Sequence, residues 1–233
     1  MMNNSTTENK KAFKADDFFP ALHDERDEFI AVDTQQMEWE AAPAKGVWRK
    51  RLMVIPGEPA QLTTLVKFEP GCSFDQHGHP FGEELLILSG VFSDDSGDFT
   101  QGSYARNPDG YHHAPWTDEG CELLVMLCQF QGDDKARKHI QTSKITPVPQ
   151  TKGLSVTQLH DKGNEHIALY HLDAGTSFDT TLFQHHLIEL FIIKGKLQIW
   201  DKAYLKGVWI KTPHKYLGVI SSLKDCSFYF KAS

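Results

Sequence analysis

The sequence repeats itself at long range, and this limits it to folds that can be built twice. VKFEPGCSFD at 66–75 returns as YHLDAGTSFD at 170–179, 104 positions later. EELLILSG at 83–90 returns as IELFIIKG at 188–195, now 105 positions later. Gly102 and Pro108 return as Gly207 and Pro213 at that second offset. Landmarks kept in order across one small insertion indicate two copies of one structural unit, each about the size of a small domain. The units are placed at residues 30–130 and 153–233. A polar, proline-containing linker at 131–152 joins them, and a polar, mobile tail at 1–29 precedes them.

Within each unit, short runs rich in apolar and β-branched residues alternate with Gly, Pro, Asp and Ser turns. LTTLVKFEPG, CELLVMLCQF and LFIIKGKLQIW are examples. Fifteen Phe and five Trp suit packed sheet faces better than long helices. The expectation is an all-β chain of two tandem barrels or sandwiches, with at most one short helix at 15–30. SDDSGD at 93–98 lacks the calcium-loop spacing and reads as a hairpin turn around Gly97. GVWRKRLMVI reads as a strand whose basic cluster, Arg49-Lys50-Arg51, lies on a solvated face.

Two histidines one residue apart, His77 and His79, precede Glu83 by a short Pro-Phe-Gly turn. Residues i and i+2 of a strand share a face, so the two imidazoles can converge. On the next strand Glu83, Leu85 and Ile87 share the inner face, while Glu84 points outward. A carboxylate on an apolar face is costly unless a positive group balances it, and a divalent cation held by neutral imidazoles does so. Downstream, GSYARNPDGYHHAP supplies His113, with His112 facing the opposite way on its strand.

These residues fill two motifs in register. Gly71, His77, His79, Glu83 and Gly90 fit G-x5-H-x-H-x3-E-x6-G. Gly102, Pro108, Gly110 and His113 fit G-x5-P-x-G-x2-H, with Thr117 where a trailing Asn is usual. Together these are the two motifs of one cupin domain, so with the internal repeat the chain resembles a bicupin. GVWRKRL, the HGHPFGEELLILSG run and EGCELLVML further resemble the cupin domain of the ChrR family of anti-sigma factors, over about residues 38–130. This resemblance implies double-stranded β-helix (jelly-roll) barrels. It also implies a divalent metal on His77, His79, Glu83 and His113, with zinc expected and iron, manganese or nickel as alternatives. An extracytoplasmic-function sigma factor is the implied protein partner. That family's inhibitory part is a separate N-terminal helical zinc domain with a CxxC pair, and no cysteine precedes Cys72 here.

The second unit has Leu182, Gln184, Ile188 and Gly218 opposite the four donors, so it reads as a degenerate barrel for packing or partner binding. His185, His186, Glu189 and His214 lie nearby without matching the pattern. Two functions remain open. One is a zinc-binding regulatory or stress-sensing protein linked to sigma-factor control, with a small ligand in the first barrel. The other is a cupin enzyme, such as an iron(II) dioxygenase acting on a small diketone-like substrate. No acid–base group is assignable; Tyr104 and Arg106, on the strand leading to His113, read as strand residues with solvated tips, with a place facing the pocket as the alternative. A net charge of −7 argues against nucleic acid. No apolar run is long enough to span a bilayer as a helix, and no targeting signal is visible. Cys72, Cys121, Cys128 and Cys226 are expected to be reduced in a cytoplasmic protein, which is further expected to form a homodimer.

Overall fold

Short alternating segments separated by turn residues cannot sustain helices, and the chain folds accordingly. The computed structural model describes residues 20–25, 27–130, 134–213 and 217–233. Among them there is no α-helix, only 3-10 turns at Thr34–Gln36, Thr142–Lys144 and Thr181–Phe183. The short helix expected at 15–30 is not formed by its described residues. Leu22 instead bridges Val54, and residues 15–19 lie outside the described set.

The strands run in chain order as β1 Ile30–Asp33, β2 Glu40–Ala41, β3 Val47–Ile55, β4 Gln61–Phe68, β5 Cys72–Ser73, β6 His77–Gly78 and β7 Glu83–Asp94. They continue as β8 Gly97–Thr100, β9 Ser103–Asn107, β10 His112–His113, β11 Trp116–Thr117, β12 Cys121–Leu127, β13 Lys138–Gln141 and β14 Val148–Thr151. The remainder are β15 Leu154–Lys162, β16 Glu165–Leu172, β17 Ser177–Asp179, β18 Ile188–Ile199, β19 Lys202–Leu205, β20 Val208–Thr212 and β21 Val219–Ala232. SDDSGD forms the β7–β8 hairpin, in which Asp94 pairs with Gly97.

Two sheets carry the repeat. One has the order β13-β9-β7-β12-β4-β3-β2, and the other β1-β20-β18-β21-β16-β15-β14. Position for position these are the same antiparallel arrangement, curled into a jelly-roll barrel in each half. Even the close contacts repeat. A Cβ on Gly90 would meet Gly120 O at 2.1 Å, and one on Gly195 would meet Asp225 O at 2.0 Å, so only glycine fits where each long strand crosses its neighbour. The edges are exchanged between halves. Strand β1, at the start of the segment assigned to the first unit, pairs with β20 of the second. Strand β13, from the segment after the first barrel, pairs with β9 of the first.

Each barrel has its own apolar interior. A third cluster sits between them and draws Leu52, Leu86, Tyr104 and Leu124 from one half and Leu169, Phe191, Trp209 and Tyr229 from the other. The outer barrel faces are therefore buried against each other, and the sequence readings of Tyr104 and Arg106 need correction. Glu84 faces away from its barrel yet is 0% exposed. Tyr104 and Arg106 are likewise fully buried, with no solvated tips. Arg106 pairs with Glu84, with Asp134 at 3.1 Å and with Glu165 at 2.7 Å. Lys231 from the second half reaches Glu84 at 3.2 Å and Glu165 at 3.1 Å, and Phe130 stacks under the Arg106 guanidinium. Burial alone would discharge Lys231, but its carboxylate neighbours hold its pKa above the ordinary lysine value.

The basic cluster is also not a solvated face. Alternation along β3 sends Lys50 into the interface, where Nζ donates to Thr34 O at 2.8 Å and lies over the Trp39 ring. Arg49 and Arg51 face the interior of the first barrel.

Candidate metal centre

The local sequence brings three histidines to one end of the first barrel. Pro80-Phe81-Gly82 turns the chain sharply, with Phe81 and Gly82 both at positive φ and Gly82 N donating to His79 O. A side chain at Gly82 would collide with the Phe130 ring at 2.5 Å. The turn delivers Glu83 to the start of β7, on the inner face. From the other side, β10 pairs with β6 so that His113 stands opposite His77. His112, one residue earlier, points away and lays its ring over Gly78.

The structure thus brings together all four residues singled out from the sequence. The rings of His77, His79 and His113 have centroids 4.9–5.4 Å apart, and one nitrogen from each falls within a 4.8 Å group. Glu83 places Oε1 3.3 Å from His79 Nε2 and Oε2 3.7 Å from His113 Nε2. His113 Nε2 and His79 Nε2 are 3.3 Å apart.

The tautomers decide what this cluster wants. His77 Nδ1 lies 2.8 Å from Asp75 O, and a carbonyl only accepts, so that nitrogen carries the proton. His113 Nδ1 lies 3.4 Å from the Asp94 carboxylate, which fixes the same tautomer. In the neutral ring that tautomer leaves an Nε2 lone pair turned inward beside a buried carboxylate. Lone pairs and a negative charge facing one another repel unless a cation sits among them. The donor set fits a divalent metal. Burial, opposed by Glu83 and reinforced by the other two histidines, holds the His79 pKa below its ordinary value, so His79 too favours the neutral form a metal needs.

Two supporting residues escaped the sequence reading. Asp94, in the hairpin turn, accepts from Ser96 N at 2.7 Å, from the Ser96 hydroxyl and from Tyr111 at 3.2 Å. Burial pushes its carboxyl up, but the bonds to His113 and Ser96 outweigh that and hold it at about 2. Asn107 donates to Glu83 Oε2 at 3.2 Å. A metal-binding imidazole calls for an acceptor on its other nitrogen. Which acid supplies it, 19 residues away, is a matter of fold. Thr117, in place of the usual Asn, donates to Val91 O at 2.6 Å and accepts from Gly120 N.

The donors open onto a cavity of about 210 Å3 with a mostly apolar wall that includes Val66, Phe68, Leu123 and Val125, together with Arg49 and Arg51. In the second barrel Leu182 sits exposed in a 3-10 turn, Ile188 is buried in the core and Gly218 has no side chain to offer. His214 lies outside the described residues. No comparable histidine group forms at that end among the described residues. A second set of donors, Asp134, His160 and Glu165, is buried between the barrels. Arg106 and Lys231 already neutralise it, so a cation there would meet two fixed positive charges. The four cysteines are free thiols.

No helix among the described residues is long and apolar enough to cross a membrane. No curated protein matches the sequence. Solved structures share the fold at low identity. A candidate dioxygenase from Nostoc punctiforme superposes with a TM-score of 0.71 at 14% identity, covering 90% of this chain and 83% of that one. A candidate glyoxylate-induced protein from Pseudomonas aeruginosa gives 0.72 at 13%, covering 92% and 90%. A bacterial pirin from Escherichia coli in complex with nickel(II) gives 0.67 at 12%, covering 88% and 98%. The model of the ChrR Cupin-like domain matches residues 27–131, which hold the whole candidate centre.

Proposed function

We propose that this chain is a metal-dependent cupin enzyme whose first barrel acts on a small organic substrate, with an iron(II) dioxygenase as the leading reaction class. The observation that carries this reading is the cavity beside the donors. Four protein ligands around zinc with no approach from outside describe a structural site. Here the inward face of the cluster looks into a partly open, largely apolar cavity of about 210 Å3. His77, His79, Glu83 and His113 would hold the ion, Asp94 would fix the His113 ring and Asn107 would orient Glu83. A bound divalent metal supplies Lewis acidity and, as iron(II), the ability to engage oxygen. The wall of Val66, Phe68, Leu123 and Val125 would exclude water and position the substrate's apolar part. The second barrel serves as a packing partner that fixes the first.

A second reading is favoured by the ChrR Cupin-like match: a zinc-loaded sensor that binds a small ligand and reports to a sigma factor. Metal analysis of protein purified without added metal, followed by oxygen-uptake assays after iron(II) loading with small diketones, separates the two. Iron with turnover supports the enzyme. Stoichiometric zinc, no oxygen uptake and capture of a purified extracytoplasmic-function sigma factor by this chain would replace it with the sensor. Unchanged metal content after replacing His77, His79 and His113 together by alanine would remove the basis of both.

A further inference from the structure

The cavity that the histidines line also carries two arginines. Arg49 and Arg51 are two apart on β3 and share its inner face, so their Cα atoms are about 7 Å apart along the strand. Both line the same cavity as His77, His79 and Glu83. Arg51 Nη2 pairs at 2.9 Å with Glu40, a residue that is half exposed, while Arg51 Nε is buried with no hydrogen-bond partner among the described residues. A guanidinium presents its donors in a planar fork matched to a carboxylate. Placing two of them on an inward face costs desolvation that an apolar side chain would avoid.

The register shows that these arginines travel with the metal donors. Arg49 pairs with Val66 and Arg51 with Thr64. Their counterparts in the second sheet, paired with Tyr170 and Ala168, are Val156 and Gln158. The barrel that lacks the four donors lacks both guanidiniums as well. If the arginines served only the β3 edge, nothing would tie their loss to the loss of the donors.

Across the sheet, Arg51 leads through Thr64 and Val125 to Leu85, next but one to Glu83 on β7. That is three strand spacings, about 14 Å of backbone before side chains reach inward. The intervening wall is mostly aliphatic and aromatic. The cavity, at about 210 Å3, is smaller than the 300–1,000 Å3 typical of drug-sized ligands.

We propose that the ligand of the first barrel is a small carboxylic acid with an apolar body, its carboxylate held by Arg49 and Arg51 and its other end turned toward the histidine cluster. This deepens the enzyme reading by naming a substrate class, a carboxylate-bearing carbonyl compound in place of a neutral diketone, and rests on that reading only for the chemistry. The test is calorimetric titration of the full chain with two acids, benzoate and hexanoate, and their uncharged amides, benzamide and hexanamide. It is run on metal-loaded and metal-free protein with metal content measured in parallel. At least one acid should bind about tenfold or more tighter than its amide, the order expected of a charge-assisted hydrogen bond. R49Q/R51Q should erase that preference while leaving metal content unchanged, and R49K/R51K should keep part of it. Should the double variant not fold, R51Q alone carries the same test. The proposal is overturned if neither acid binds, if the amides bind as well, or if the preference survives in R49Q/R51Q because the carboxylate sits on the ion instead. A failed metal centre would show separately, as absent metal with the arginine-dependent preference intact in metal-free protein.

Discussion

The two barrels follow one strand plan and differ in what occupies their interiors. The first keeps a cavity walled by Val66, Leu123 and Val125, with Glu83 at its donor end. The matching positions of the second hold Tyr170, Phe228, Phe230 and Ile188. Tyr170 stacks on Phe228 at 5.6 Å and meets Phe230 edge-on at 5.2 Å. Three aliphatic-to-aromatic exchanges therefore occupy the volume that the first barrel leaves open. The fold tolerates either filling because its glycine crossings and strand register are untouched. A jelly roll is thus a container, and the side chains on its inner face decide between a site and a solid core.

What the barrels share is the face between them, and this gives the largest expected effect. Glu84 and Arg106 are cross-strand partners in one half, as are Glu189 and Lys211 in the other, each pair member 105 positions from its counterpart. Replacing Arg106 by Met leaves Glu84, Asp134 and Glu165 buried without the one cation that touches all three. The expected loss is about 3–5 kcal/mol. Because the network and its apolar surround draw on both halves, urea unfolding followed by tryptophan fluorescence and by circular dichroism should give one coincident transition. Two separated transitions would show that the barrels are independent after all.

The next effect contrasts equivalent core positions. Phe230→Ala should cost about 3–5 kcal/mol, since the second barrel is packed solid there. Val125→Ala, in the first, removes two methyl groups that already face open space and should cost about 1.5 kcal/mol at ~0.8 kcal/mol each. Equal losses in thermal or chemical denaturation would mean that the cavity closes up in solution. A smaller effect separates the metal centre from the fold. Asp94→Asn keeps the hairpin but weakens the acceptor that sets the His113 tautomer, so metal affinity should fall roughly 10–100-fold by chelator competition. The same variant should also cost some stability, because the depressed carboxyl favours the fold, but less than Arg106→Met does, and an equal loss would recast Asp94 as structural.

Much of this was legible in the sequence, for identifiable reasons. Strand alternation and the 105-residue repeat are periodic signals that survive substitution, so the two barrels could be read directly. The histidine cluster was readable because His77, His79 and Glu83 are near neighbours, and because Gly102, Pro108 and Gly110 fix where His113 falls. Alternation tells inner face from outer, but it does not say what lies against the outer face. Arg106 and Tyr104 were therefore given solvated tips, when the second barrel covers them together with the outward-facing Glu84. The Arg-Lys-Arg run failed differently. Strand periodicity already puts Lys50 opposite Arg49 and Arg51, yet consecutive charge is easily taken for one surface. Asp94 needed contacts between segments that no local pattern supplies.

The smallest effect expected is on acid stability, and it falls unevenly on the molecule. Burial holds His160, His166 and His171 below their ordinary pKa, with Arg106 and Lys138 adding to the effect at His160 against the pull of Glu165 and Asp134. His79 and His139 shift the same way, with burial again the leading cause. A histidine whose native pKa is depressed takes up its proton in the unfolded chain first, so stability falls as pH drops below about 6.5 toward the native values. Asp94 acts in a lower window, because its native carboxyl at about 2 contributes stability that is present above about 3.8 and lost as pH falls toward 2. Mild acid should therefore loosen the shared interface and the second barrel well before it reaches the Asp94–His113 contact. His160 is the most sensitive reporter, being only 2% exposed and 2.9 Å from Asp134. Thermal melts of metal-free protein from pH 7.5 to 5 should show a declining melting temperature whose slope is reduced in His160→Gln. An identical slope in that variant would place the acid sensitivity on the exposed rim of the barrels and leave the buried network electrostatically inert in this range.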